Sequence, residues 1–470
     1  MIISDTHVKN MRTEPSRAYR WTVLLFVGLT MGSNYYLYDS INPMQRIFIE
    51  KLGFTATTFG WLNSAYAVSA ILTLLIGGLV IDRIGTKRAI MVFAFICLLG
   101  AALTAARGRP GTMIAGRAVL GLGGESLVVA ATTVIAKWFK GKELSFAFGI
   151  KITIARLASV AADNSPTWGS RLFYPNGSGG EPSWQGPMLL GVGAGIFAVL
   201  CSGIYYMLES RAERSSADRS PEDRSPEERS AGAVQSVSSK TTKFNLAQTL
   251  RFSLSYWYVV GICLTFYAAV FPFRTFAIGF FTNKILASQG GLSAAEAVQV
   301  LAHKRAGMFN SMLPLSAMVA TPLIGLLSDK FGKRASLMMF ASLMMMPVYL
   351  LMGFTNVSLF LPLCMMGIAF ALIPAVMWPS VAYIVDQKRL GTAYALMTLI
   401  EQVGFFAMNL LIGWTNDHQH AGLSNLEGYR AGLLIFSTLG IAGFLFATLL
   451  RIRENGPHSY GLETITAGKS

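Results

Sequence analysis

The chain is dominated by long apolar runs, each passing some twenty residues with few or no charges. A run of about 20 apolar residues, at ~1.5 Å rise per residue, is long enough to cross the ~30 Å hydrocarbon core of a bilayer as a helix. Twelve runs qualify, at about 21–41, 59–81, 89–106, 113–136, 143–163, 188–207, 254–279, 306–327, 335–353, 358–383, 392–414 and 429–450. Lys151 and Arg156 interrupt the fifth. Length alone, at 470 residues, would allow about three soluble domains. However, 53% of the residues are apolar and only 13% charged, about half the charged share of a globular protein. A soluble chain of this size cannot hide so much apolar surface, so most of it must be solvated by lipid. The expectation is an all-α membrane protein; a multidomain soluble enzyme and a disordered protein are excluded.

The runs fall into two sets of six. Between them lies one long polar segment, Glu209 to Lys243, whose core RSSADRSPEDRSPEERS mixes charges without apolar periodicity. Such a composition cannot build a core and reads as a disordered linker. The predicted organisation is a cytoplasmic N-tail (1–20), an N-terminal six-helix bundle (21–207), a cytoplasmic linker (208–250), a C-terminal six-helix bundle (251–450) and a cytoplasmic C-tail (451–470). The first run is too long for a secretory signal and reads as a retained span. With both termini on one side, that side carries 26 of the 39 Lys and Arg residues, which marks it as cytoplasmic. The net charge of +15 is therefore a topology signal, not a nucleic-acid footprint. Cys97, Cys201, Cys263 and Cys364 all lie in apolar stretches without metal-ligand spacing. No metal or cofactor is expected.

The two halves share a repeat. The loop after the second run reads GGLVIDRIGTKR (Gly77 to Arg88), and the loop after the eighth reads GLLSDKFGKR (Gly325 to Arg334). Each has Gly, three residues, Asp, two residues, Gly, then basic residues. A repeat at equivalent places implies two related halves about an axis along the membrane normal. Its Asp82, Arg83, Arg88, Asp329 and Arg334 form a candidate cytoplasmic gate, with the arginines also able to serve as ordinary positive-inside anchors. This pattern resembles the major facilitator superfamily, as does Gly116-Arg117 at the start of span four. The resemblance implies twelve transmembrane helices in two pseudo-symmetric six-helix bundles, with a central cavity exposed alternately to either side.

Charged residues at membrane depth cost at least ~2.5 kcal/mol each and are retained for pairing or function. Glu125 stands midway along span four in GLGGESLVVAATTV, just after Gly121, Gly123 and Gly124. Arg156 lies in span five, an antiparallel neighbour, at about the same depth. The acid and base either pair structurally or hold the two ends of a zwitterion, with Arg156 suited to a two-pronged grip on a carboxylate. Lys151 faces elsewhere on span five, towards lipid or another span.

The run from Gly116 to Ser159, with its GGES, WFKGKEL and AR-x-x-S elements, is similar to one branch of the superfamily, that of the lysosomal dipeptide uniporters. YYLYDSINPMQ (Tyr35 to Gln45) and AAVFPFRTF (Ala268 to Phe276) add to the likeness. The resemblance implies dipeptide transport, with Glu125 as the amino-terminus ligand and Arg156 as the carboxylate ligand. Glu401 departs from that pattern, which has an uncharged residue there; it is a candidate proton site or a partner for Arg274. Arg274 in span seven either faces the cavity or is structural near the outer boundary. Asp39 lines the entrance, as a second candidate proton site, or caps span one. Tyr38, Tyr66 and Trp378 are candidate pocket residues for substrate side chains, or packing groups.

There is no GxxxxGK[ST] loop for nucleotide. Span one also lacks the ExxER cluster of proton-coupled peptide transporters. Facilitated diffusion of dipeptides, by a monomer in the bilayer, is therefore the expected activity. A proton-coupled carrier of organic anions (sugar-acid type) or of peptides is the alternative, and a sensor or accessory membrane subunit ranks below both. No enzymatic constellation emerges. The expected compartment is a bacterial inner membrane, or a lysosomal membrane if the source is eukaryotic.

Overall fold

The computed structural model describes residues 16–139, 143–177, 181–217, 252–291, 295–386 and 389–464. Among these, twelve long helices follow one another: α1 (Arg17–Asp39), α2 (Ala56–Ile84), α3 (Thr86–Ala106), α4 (Pro110–Phe139), α5 (Leu144–Asp163), α6 (Gln185–Ala217), α7 (Leu254–Ala287), α8 (Glu296–Phe331), α9 (Arg334–Phe354), α10 (Phe360–Ile384), α11 (Leu390–His418) and α12 (Tyr429–Glu454). Eight of them (α3, α4, α6, α7, α9, α10, α11 and α12) are long and apolar enough to cross a membrane by composition. Short helices at Gln45–Leu52, Ser165–Trp168 and Ser170–Phe173 decorate the side away from the termini, hereafter the far side.

Local chemistry sets the helix ends. The Ser16, Thr55 and Ser253 hydroxyls accept the backbone N–H three residues on and so cap α1, α2 and α7. The repeated loops end their helices in the same way. Gly85 closes α2 at φ 79° and Gly332 closes α8 at φ 66°, a left-handed backbone that glycine adopts without a Cβ clash. Several helices outrun their apolar stretches. α6 continues to Ala217, ten residues into the segment read as linker, and the rest of that linker, 218–250, lies outside the described residues. α8 begins at Glu296, ahead of the predicted 306, because the polar stretch before that run, with His303, Lys304 and Arg305, is also helical.

Helices in lipid gain nothing from burying apolar faces and associate by close packing, so small residues mark the contacts. Within the first bundle, α3 and α4 meet backbone to backbone: a Cβ at Gly100 would stand 2.5 Å from the Leu120 nitrogen. Between the bundles, α2 crosses α11 and α5 crosses α8, two pairings that exchange when the halves are swapped. A Cβ at Gly60 would stand 2.3 Å from the Asn409 carbonyl oxygen, and one at Gly307 only 2.2 Å from that of Asp163.

The hydrogen bonds described between the bundles gather on the far side. Asp417 at the end of α11 accepts from the backbone N–H groups of Ala56 (2.7 Å) and Thr57 (2.8 Å), so one bundle caps the first turn of the other. Tyr174 meets His303 Nδ1 at 2.7 Å, and His303 Nε2 meets the Pro43 carbonyl at 2.8 Å. Asn63 donates to Thr275, Ser64 to the Phe406 carbonyl, and Asn164 to Ser311. The far side is thus closed.

The C-tail folds back on its own bundle. The Glu454 carboxylate accepts from the N–H groups of Tyr460 and Leu462 (both 3.0 Å). Leu462 is fully buried, and the Glu463 carboxylate accepts from the Ser336 N–H (2.7 Å) and hydroxyl (2.8 Å) in the first turn of α9. Backbone carbonyls of Leu462 and Glu463 accept from Arg334 and Lys333.

Candidate functional site

Glu125 lies midway along the 30-residue α4, partly exposed although its helix is embedded. The Tyr66 hydroxyl of α2 donates to its carboxylate at 3.2 Å. The preceding glycines explain how Tyr66 reaches it. A Cβ at Gly124 would stand 2.5 Å from the Tyr66 hydroxyl, one at Gly121 2.4 Å from the Tyr66 carbonyl, and one at Gly123 2.8 Å from Cys97 of α3. Glycine there serves close approach by two neighbouring helices.

Behind Tyr66 stands Arg117, one of the largest fully buried side chains. Its guanidinium donates to the Leu37 (2.9 Å) and Tyr38 (3.1 Å) carbonyls, which the end of α1 leaves without helical partners, and to the Asn63 side chain. It also lies over the Tyr38 and Tyr66 rings at 5.4 and 5.6 Å, and those rings pack edge to face at 4.7 Å. Arg117 therefore fixes Tyr38 and Tyr66, and through Tyr66 it sets the position of Glu125.

Arg156 projects from α5 and is also partly exposed. Its guanidinium lies 5.0 Å from the centre of the Phe370 ring on α10 of the other bundle. Phe370 belongs to an aromatic wall with Phe266, Phe271 and Tyr267. Trp378 joins that wall by donating its indole N–H to the Tyr267 hydroxyl at 3.1 Å. Among the described residues, no ion pair joins Glu125 to Arg156, and neither has another partner of opposite charge in contact. The structural pairing considered for them is absent. Glu401 of α11 is likewise unpaired and lies within electrostatic range of both.

Arg274 is elsewhere. It is buried between the bundles on the far side, with Nη2 2.8 Å from Asp163 and Nη1 3.4 Å from Asp39. Of its two readings it takes the structural one near the outer boundary, and the alternative that made it a partner of Glu401 fails because Asp39 and Asp163 hold it instead. Asp39 closes α1 and faces Arg274. Asp163, which sequence reasoning missed, sits at the end of α5 beside Asn164 and reads locally as a helix terminus.

On the terminal side, Arg83 and Arg88 are exposed, whereas Arg334 is buried over the Tyr383 ring at 4.6 Å. Gly77 meets α4 closely at Ser126. The side chains of Asp82 and Asp329 lie outside the described residues. A surface cavity of about 500 Å³ lined by Lys284, Phe309 and Leu426 opens on the far face of the second bundle, apart from Glu125 and Arg156.

The sequence profile described as Major Facilitator Superfamily matches residues 24–304 and 291–468. The chain is 28% identical to the lysosomal dipeptide transporter MFSD1 of Danio rerio over 90% of this chain and 86% of that protein. It is 29% identical to the Homo sapiens protein of that name over 91% and 86%. Among solved structures, a bacterial homolog of the human lysosomal transporter Spinster, inward-facing and unoccupied, superposes with a TM-score of 0.65. It shares 16% identity and covers 93% of this chain and 97% of that one. Both halves match one family and the helices take its arrangement, so the chain belongs to the Major Facilitator Superfamily and is a membrane transporter, not an enzyme.

Proposed function

We propose that the protein carries dipeptides across its membrane by alternating access, as a monomeric facilitative uniporter. The observation that carries the reading is the pair of unpaired opposite charges, Glu125 and Arg156, both partly exposed on consecutive helices of one bundle. Left unpaired, each bears the cost of membrane-depth charge, and a zwitterion between them relieves both. Glu125, with Tyr66, receives the ammonium. Arg156 receives the carboxylate in a planar fork grip. The aromatic wall of the second bundle, Trp378 included, accepts variable side chains through apolar contact, which suits a carrier of many dipeptides. The MFSD1 relatives are named dipeptide transporters, in agreement with this class of cargo.

In either a bacterial inner membrane or a lysosomal membrane the terminal side faces the cytoplasm, from the excess of Lys and Arg there. The far side is the closed side in this state. Asp82, Arg83, Arg88, Asp329 and Arg334 then form the cytoplasmic gate that closes in the opposite state.

The test is uptake of a labelled dipeptide by purified protein in liposomes, with and without a pH gradient. Glu125→Gln and Arg156→Ala each abolish uptake while the protein stays monodisperse; normal transport by both variants sinks the clamp. A second reading, proton-coupled transport of organic anions or peptides, is favoured by one observation. Glu401 adds a second cavity carboxylate to a single guanidinium. Uptake that requires an inward proton gradient and is lost in Glu401→Gln would establish that reading instead.

A further inference from the structure

The buried cluster on the far side has an uneven composition. Asp39 and Asp163 belong to the first bundle and are 2% and 0% exposed; the single base, Arg274, belongs to the second and is 2% exposed. Asn42, also of the first bundle, donates its side-chain amide to Asp39 Oδ1 (3.1 Å) and to Asp163 Oδ1 (3.4 Å), so one amide bridges the two carboxylates. Asn310 of the second bundle donates to Asp163 Oδ1 at 2.9 Å. Arg274 Nε and Asn310 Oδ1 are buried without hydrogen-bond partners. The cluster spans the seam between bundles, and its donors and acceptors part along that seam.

We propose that Asp39 and Asp163 form a proton-binding site that is exposed when the far side opens, so that far-side acidity gates opening without driving transport. The proposal rests on the alternating-access reading but not on the identity of the cargo. When the bundles part, Arg274 and Asn310 leave together, while Asp39, Asp163 and Asn42 remain as neighbours on one bundle. Two carboxylates linked by one amide, with no cation between them, are costly to keep ionised, and one takes a proton from the far-side solution. On closing, Arg274 returns and that proton leaves the way it came, because the far side seals before the other side opens. Opening therefore takes up at most one proton, and acid on the far side favours the open state. The pH dependence belongs to the conformational equilibrium, and no proton crosses with substrate.

Other charged and titratable groups surround the pair. On α1, Tyr35 and Tyr38 flank Asp39; on α4, Arg117 holds the α1 carbonyls beside it; on α8, His303 lies two turns from Asn310 towards the far face. Arg117 and both tyrosines stay with the first bundle and do not change company on opening. His303 does change company, and it is the group the experiment must separate.

The test is labelling of a cysteine placed in the seam, Ser64→Cys, by a bulky membrane-impermeant maleimide, in protein whose half-buried Cys364 is replaced by Ser. Ser64 is fully buried and bonds across the seam to Phe406, so its labelling reports far-side opening. Rates are taken as ratios to Asp163→Asn at each pH, which cancels the pH dependence of the thiol. At neutral pH, Asp163→Asn and Asp39→Asn label several-fold faster than the parent. The parent approaches them on acidification, by at most about tenfold per pH unit for one proton. His303→Gln keeps that approach. A pH-flat ratio, slow labelling of both Asn variants when they elute as monodisperse protein, or loss of the pH effect in His303→Gln would overturn the proposal. So would substrate-driven proton movement, read by a dye inside liposomes, that vanishes in Asp163→Asn. No substrate enters the labelling test, so failure of the dipeptide clamp leaves its result standing.

Discussion

The protein contains two sets of embedded charges that use the same side chains to opposite ends. At mid-depth, Glu125 and Arg156 stand apart, partly exposed, on adjacent helices of one bundle. On the far side, Asp39, Asp163 and Arg274 are buried and joined, and they come from both bundles. An unpaired, accessible charge offers its interaction energy to a ligand, whereas a paired and buried one has already used it to hold two parts of the protein together. The difference lies less in the residues than in where the seam between bundles runs. Under the proposed alternating access, a pair within one bundle stays together, whereas a pair across the seam must break each time the bundles part.

This contrast can be attacked in order of expected effect. Removing Arg274 should matter most: Arg274→Ala strands two buried carboxylates, a loss of about 3–5 kcal/mol for a broken buried pair. It should lower the melting temperature and open the far side to labelling; an unchanged melting curve would show that the cluster does not hold the bundles. Next is Gly124→Ala, whose methyl would displace the Tyr66 hydroxyl from Glu125. The loss of one hydrogen bond to a charged group, about 1.5–3 kcal/mol, predicts roughly ten- to a hundredfold weaker dipeptide binding with little change in melting. Equal effects on binding and melting would make Tyr66 structural instead. Asp417→Ala, which uncaps α2 across the seam, should favour far-side opening by about 1 kcal/mol, measured by the same labelling. The smallest effect is expected of Glu401→Gln, which should leave uptake within about twofold if transport is uncoupled, since substitutions away from paired or packed groups shift energies by ~0.5 kcal/mol.

Much of this was legible in the sequence, for identifiable reasons. Twelve apolar runs at bilayer length leave little choice of fold, and the repeated Gly–Asp–Gly loops announce two related halves; the structure gives both loops the same left-handed glycine. Glu125 and Arg156 stand out as candidates because charge in an apolar run is conspicuous and because a short loop between spans four and five lets their depths be compared. Asp163 does not. It follows an apolar stretch and precedes Asn-Ser-Pro, so it looks like an ordinary helix end, and its partner lies 111 residues away in the other bundle. For Arg274 the structural alternative near the outer boundary is legible but its partners are not, since sequence fixes depth within a bundle far better than it fixes the seam between bundles. Arg117 is legible only as part of a pattern, because its grip on the α1 carbonyls depends on where α1 stops.

The folded-back C-tail has a practical consequence for anyone attaching a reporter. The tail is an outer wall of the second bundle at least as far as Thr464, held by Glu454 and Glu463 and wedged by Leu462. A fluorescent protein or affinity tag joined after Glu454, where the last helix ends, would unplug that wall and expose the first turn of α9. Joined after Thr464, it would leave the wall standing.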